Sequence, residues 1–398
     1  MIVRQPIKCR TCGEPRIARI QIGHQDRQEH DFTCLKCNEP IKIGLDLDQA
    51  NASFNVLFIE NCEPNPIEEG SLIYLSPDFP ADRNRAGDAL YFPSIHLAQT
   101  LTEREPFAMA EHAAQGGSLF RVTDEWSIVQ KSWRLESSGK YELSGKLISD
   151  YAKRHQLDDA SFRGMLWDFL NGTFQLNDNL FHEIRKIAKA NIAEIRKFLL
   201  YYNQSLKAPH RRGYLNIFSD YFSNFSEHAQ LFRYARQEVE LQEDLHVTSV
   251  NFERSKSFYA TSFEFFAGAI TILTALNNIK SGRSFDRLQS IDLNNYTKTD
   301  KAKRRASISA NSIFKDATAE FDSQIRNAAF HNHFFLRRDG HTIEYRTGGT
   351  GAIQTMSYTD YLLKCGRMTR QLANLLCAEL LLEEIACSTA LVVKEPAT

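Results

Sequence analysis

Ile325-Arg326-Asn327-Ala328-Ala329-Phe330-His331 is the stretch on which the reading of this chain turns. Phe321, Ile325 and Ala329 recur at helical spacing and predict a helix seated against a core. That helix carries a permanent cation, a small amide and an imidazole within six residues. A guanidinium holds phosphate through its fork of donors, and an imidazole moves a proton near neutral pH. Five helical positions put Arg326 and His331 roughly 140° apart, so the two converge only where the helix ends or distorts, or where a two-fold axis brings copies together. The following Asn332-His333 and the alternating 334–345 stretch place that end near Phe330. A surface arginine and a helix-terminal histidine that favours the dipole leave the same pattern, so spacing alone keeps both readings open.

The string Arg326-Asn327 with His331 after four intervening residues resembles the R-x(4 to 6)-H signature of the HEPN superfamily, in which a polar residue commonly follows the arginine. The resemblance covers roughly the last third to two fifths of the chain. It implies an all-helical, dimeric, metal-independent endoribonuclease of the kind found in toxin, antiphage or RNA-processing systems. Arg326, Asn327 and His331 would be its catalytic residues, with His333 as the alternative imidazole. RNA, tRNA among the candidates, would be its substrate, and a phage or antitoxin protein a partner.

A chain of 398 residues with 42% hydrophobic and 24% charged residues is globular and long enough for several domains. Its formal charge of -1 excludes a globally basic binder and leaves a local basic groove open. The start lacks the apolar run of a signal peptide, and the most apolar internal run, 265–276, is too short to span a bilayer. These features point to a cytoplasmic chain with no membrane partner.

Cys9, Cys12, Cys34 and Cys37 form two C-x-x-C pairs, whereas the other four of the eight cysteines are scattered. Each pair can form a tight knuckle, and four thiolates complete a tetrahedral zinc shell with no open position for catalysis. The expectation is a structural zinc ribbon; a redox pair is the rival reading. Gly13 and Asn38 follow the pairs where a turn needs positive φ. His24 and His30 read as solvent-exposed. A strand is expected over 16–22, and Ile41, Ile43, Leu45 and Leu47 alternate with polar residues as in a strand with one wet face.

The fold class expected is mainly α, with this small β ribbon, a mixed middle region and a C-terminal HEPN-like helical bundle carrying a short β-hairpin. The units are a zinc ribbon at 1–48, a mixed α/β or linker region at 49–143, a helical region at 144–213 and the HEPN-like domain at 214–398. Helical signals appear over 97–114, Asp82, Arg83 and Arg85 sit in a loop-like context, and 124–141 is too irregular to assign. Asp158-Asp159 reads as a helix start, 179–202 as one helix that Pro209 breaks, and 249–280 as the central helix. The aromatic residues at 258–266 read as packed core and not as a stacking platform. Lys298, Lys301, Lys303, Arg304 and Arg305 form a basic run before the site helix, either holding RNA backbone or merely solvated. The final helix runs over about 358–387. Two rivals to the ribonuclease are a non-catalytic HEPN-like RNA-binding or dimerisation protein and a DNA-binding regulator that uses the ribbon.

Overall fold

Among the described residues, strands make up the part before residue 77 and helices predominate from Leu119 on, each part around its own hydrophobic core. The computed structural model describes residues 2–22, 27–48, 53–76, 119–238, 240–241, 247, 252–330, 334–337, 340–346 and 351–392. The expectations for His24, for Asp82, Arg83 and Arg85, for the 97–114 helix, and for His331 and His333 lie outside these residues.

Seven strands form two sheets: β1 (Ile2–Cys9), β2 (Pro15–Gln21), β3 (Arg27–Thr33), β4 (Pro40–Asp48), β5 (Ser53–Glu60), β6 (Cys62–Pro64) and β7 (Ser71–Leu75). One has the order β6-β1-β2-β7, the other β3-β4-β5. β7 joins β2 in parallel, whereas every other pair is antiparallel. Ile41, Ile43 and Leu45 alternate inward as their period-2 pattern requires, packing with Ile7, Ala18 and Ile20. The sheets therefore continue past residue 48, because β5, β6 and β7 complete them.

The helices are α1 (Leu119–Ser137), α2 (Tyr141–His155), α3 (Phe162–Phe174), α4 (Asp178–Ala190), α5 (Ile192–Tyr201), α6 (Lys207–Ser223), α7 (Phe225–Ala229), α8 (Phe232–Gln237), α9 (Phe252–Ala269), α10 (Thr271–Lys280), α11 (Leu293–Tyr296), α12 (Ser312–Asp316), α13 (Ser323–Phe330) and α14 (Tyr358–Val392). A three-stranded sheet of β8 (Phe334–Leu336), β9 (Thr342–Arg346) and β10 (Ile353–Ser357) precedes α14. The expected hairpin is β8 and β9, and β10 adds a strand that was not expected.

Four details differ from the sequence reading. The irregular 124–141 stretch lies mainly in α1, whose buried stripe is Trp126, Val129 and Trp133 at intervals of three and four. The helix expected to begin at Asp158-Asp159 begins at Phe162, because Ser161 supplies the cap: its Oγ accepts from Gly164 N at 3.1 Å. Pro209 does not break a helix. It lies in the first turn of α6, where its missing N–H is no loss. A π-helical turn, Tyr202–Leu206, carries the chain from α5 into α6. Helix α6 runs through the boundary expected at 213/214, so the two helical units expected on either side share one core. Gly213 is needed there, because a Cβ would lie 2.1 Å from the Phe265 ring.

The span Phe252–Lys280 is long and apolar enough to cross a membrane, but 78% of its most apolar window is buried inside the protein. It is the central core element. Phe258, Tyr259, Phe263 and Phe266 are all buried, as packed core requires.

The helical core also encloses His228. Its ring stacks 4.4 Å from Tyr221, and neither ring nitrogen has a hydrogen-bond partner among the described residues. Burial, with the Arg254 charge adding to it, lowers its pKa from 6.5 to about 3. The folded state thus holds the imidazole neutral, while the unfolded chain takes up a proton below pH 6.5. Stability from this group is whole above pH 6.5 and is lost as pH falls toward 3, by up to about 1.4 kcal/mol per unit. Urea melts at pH 7 and pH 5 are expected to show about 2 kcal/mol of acid loss that H228F abolishes. The same variant gains about 1–3 kcal/mol at pH 7, since it removes an unsatisfied buried polar group. An unchanged acid slope in H228F would refute this.

Candidate functional site

Arg326 and Asn327 of the proposed catalytic stretch lie in α13, which packs along α9. Asp322 starts the helix by accepting from Gln324 N at 2.9 Å and Ile325 N at 3.4 Å. Phe321, Ile325, Ala328 and Ala329 are buried, whereas the Arg326 side chain remains 25% exposed. Both Nε and Nη2 of Arg326 bond Glu264 Oε1, and Nη1 donates to Asn327 Oδ1 at 2.5 Å. Lys301 Nζ reaches the other oxygen of Glu264 at 2.5 Å. The guanidinium carbon lies 5.8 Å from the Phe263 ring centroid and 5.7 Å from that of Phe330.

Electrostatics keep this cluster charged. Burial pushes the Glu264 carboxyl up, but the hydrogen bonds and charges of Lys301 and Arg326 outweigh it and hold the group below the ordinary glutamate range. Two cations share one anion, which leaves one net positive charge at a partly exposed position.

Glu264 was not among the residues expected here. Its signal in the sequence was a lone acid in the aromatic run 258–266, where a charge needs a partner. The basic run resolves into different roles. Lys298 and Lys303 are exposed, and Lys301 joins the cluster. Arg305 donates to Thr318 Oγ1 at 3.2 Å and Lys315 O at 3.1 Å. Arg304 is buried and donates to the carbonyls of Ala267, Thr297 and Thr299, which takes it out of the expected phosphate-facing set. Helix α12 also stands between the run and α13, so the run does not feed the site helix directly.

A second site lies in the strands. The chain reverses after each C-x-x-C pair, with Gly13 N bonding Cys9 O at 2.8 Å and Asn38 N bonding Cys34 O at 2.9 Å. Gly13 and Asn38 have φ of 71° and 58°, the left-handed conformation expected after each knuckle. All four Sγ atoms lie within 4.8 Å of one another, with Cys9 to Cys37 at 3.7 Å and Cys12 to Cys34 at 3.6 Å. Bonds of 2.3 Å at tetrahedral angles set a sulfur–sulfur edge of about 3.8 Å, so the thiol set fits a four-coordinate zinc-sized ion. Burial pushes the Cys34 thiol up, while the backbone N–H groups of Cys37 and Lys36 and the neighbouring thiols bring it down to about 7. The same coupling pushes Cys37 up to about 12, so the four thiols titrate as a set.

Neither a family model, a curated protein nor a solved structure matches the chain. Asn61, in the turn between β5 and β6, ties the two knuckles together. Its Oδ1 accepts from Thr11 N at 3.1 Å and Thr11 Oγ1 at 2.8 Å, and its Nδ2 donates to Pro40 O at 3.1 Å. Cys62 is buried opposite Cys9 across the β1–β6 pair and donates to Lys42 O at 3.2 Å, outside the four-cysteine cluster. His30, expected on the surface, is buried; its Nε2 lies 3.3 Å from Gln28 Nε2, and burial lowers its pKa to about 4.

Proposed function

We propose that this chain is a HEPN-like, metal-independent endoribonuclease, dimeric and served by an N-terminal zinc ribbon that stabilises the fold or recognises a partner. The observation that carries this reading is Arg326: partly exposed, fixed by Glu264 and Asn327, and set in a cluster with one net positive charge. The sequence then places His331 one residue beyond α13. In this mechanism His331 takes the proton of a ribose 2′-OH, or gives one to the departing 5′ oxygen. The 2′ oxygen bonds to phosphorus, the bond to the 5′ oxygen breaks, and 2′,3′-cyclic phosphate and 5′-OH ends result. Arg326 stabilises the charge that builds on the phosphorane, and Asn327 orients the phosphate or the arginine. DNA lacks the internal nucleophile. In the ribbon, Cys9, Cys12, Cys34 and Cys37 would hold zinc as a closed structural centre.

The test is cleavage of total tRNA and a structured RNA in mild chelator by wild type, R326A and H331A, with fragment ends identified. Wild type is expected to leave cyclic phosphate ends that H331A does not. R326A is expected to cleave about 100- to 1000-fold more slowly, the usual cost of losing one donor to transition-state charge. Equal cleavage by all three folded proteins would refute the reading. A non-catalytic RNA-binding or dimerisation role is favoured by one observation, the engagement of Arg326 with Glu264. Under that role R326A dissociates the dimer or weakens RNA binding, and no protein cleaves.

A further inference from the structure

Two aromatic rings near this cluster are exposed, although most aromatic residues of the bundle are buried. Phe330, at the end of α13, is 53% exposed, and Phe335, in the edge strand β8, is 56% exposed. Neighbouring Phe334 is fully buried against Phe252, Tyr345 and Tyr361, so the alternation of the strand turns Phe335 outward. A cation lies by each ring: Arg326 lies 5.7 Å from the Phe330 centroid, and Lys256 Nζ, buried and paired with Glu253 at 3.5 Å, lies 5.8 Å from that of Phe335.

Both pairs are anchored on α9. Lys256 belongs to that helix, and Arg326 is held to it through Glu264. Eight residues separate Lys256 from Glu264, which is about 12 Å along a helix axis, a span suited to a dinucleotide. A large exposed apolar ring costs solubility and contributes little to the fold. Beside a cation it matches a nucleotide, whose base has a π-face and whose phosphate carries a single negative charge. Paired bases keep their faces buried in the stack, so only unpaired nucleotides can use such rings.

We propose that Phe330 and Phe335 are stacking platforms for two unpaired bases of an RNA strand, with the partly exposed Arg326 drawing in the phosphate beside Phe330. This rests on the ribonuclease reading for its substrate and adds the residues that select single-stranded over duplex RNA. At Phe330 the adjacent guanidinium couples base recognition to phosphate placement.

The test uses a 2′-O-methyl RNA heptamer carrying 2-aminopurine, which cannot be cleaved because its internal nucleophile is blocked. Wild type is expected to quench the fluorophore and to bind the strand more tightly than the matching duplex. F330A and F335A are each expected to weaken binding about 5- to 150-fold, the range that base stacking on one aromatic supplies. F330W restores binding, and thermal melts check that each variant stays folded. An abasic site at the stacked position should weaken wild type and leave F330A unaffected. Unchanged affinity in F330A and F335A, or equal loss with the abasic strand, would overturn the proposal. Parallel tRNA cleavage keeps the two readings apart. Cleavage by wild type with no effect of either ring on binding sinks the platforms alone, whereas stacking without cleavage sinks the catalytic reading alone.

Discussion

Replacing Cys9 with serine is expected to unfold the N-terminal β-module and leave the helical bundle standing. The module is small, and its core consists mainly of short aliphatic side chains such as Val3, Ile7, Ile20, Ile41, Ile43 and Leu45. Cores of this size supply only a few kcal/mol, whereas structural zinc contributes an apparent 10–16 kcal/mol in small metal-folded domains. Serine cannot replace the thiolate at Cys9, so both the ligand and the knuckle that Gly13 closes are lost. The helical core is a separate cluster and does not draw on these residues. Hydrogen exchange read by mass spectrometry should show peptides from β1 to β4 losing protection, while those from α9 and α14 keep it. Bound zinc should fall from about one ion per chain to none. The conservative control is C62S, which removes a buried thiol outside the cluster and should keep its zinc. Protected β1 to β4 peptides in C9S would show that the strands hold without the ion.

The knuckles were legible in the sequence because their constraints are local. Two thiolates at a spacing of three residues, and a residue tolerant of positive φ just after them, are properties of a few consecutive positions. The alternation at Ile41, Ile43 and Leu45 was legible for the same reason. His30 was misread because its burial depends on β3 pairing with β4, a contact that no local pattern in the sequence records. Pro209 was read by its usual effect within a helix, but a preceding π turn places it where a helix begins. In α1, Ile128 and Leu135 fall beside the buried stripe and blur its period. The helical setting of Arg326 was readable from Phe321, Ile325 and Ala329. Its anchor on Glu264 was not, because the two residues are 62 positions apart and meet only when α13 packs on α9.

The variant E379L is expected to destabilise the bundle by about 3–5 kcal/mol, the scale of an uncompensated break in a buried polar network. Glu379 is fully buried on α14 and accepts from three donors. Tyr202 donates to Oε2 at 2.7 Å, while Tyr214 at 2.9 Å and His210 Nδ1 at 2.8 Å reach Oε1. Those donors come from the π turn and α6, so one carboxylate fixes the place where the chain passes from α5 to α6. Burial, reinforced by the Glu379 charge, pushes both phenols up, and each remains a donor throughout the ordinary pH range. One turn further along α14, Glu383 takes Arg211 at 2.8 Å, Lys207 at 3.2 Å and the Tyr202 hydroxyl at 3.2 Å. E379Q should lose less than E379L, because one amide oxygen still accepts while the amide nitrogen faces a donor. The urea midpoint should fall in both variants with the slope unchanged, as for a loss of stability without a change in compactness. Adding Y214F to E379L separates the causes, because the Tyr214 hydroxyl bonds Glu379 whereas that of Tyr202 also bonds Glu383 at 3.2 Å. If the cost sits in the orphaned hydroxyl, the double variant is more stable than E379L, because removing both partners of a buried bond costs less than removing one. If the double variant is less stable than E379L, the cost lies in packing, and the carboxylate has been filling space more than satisfying donors.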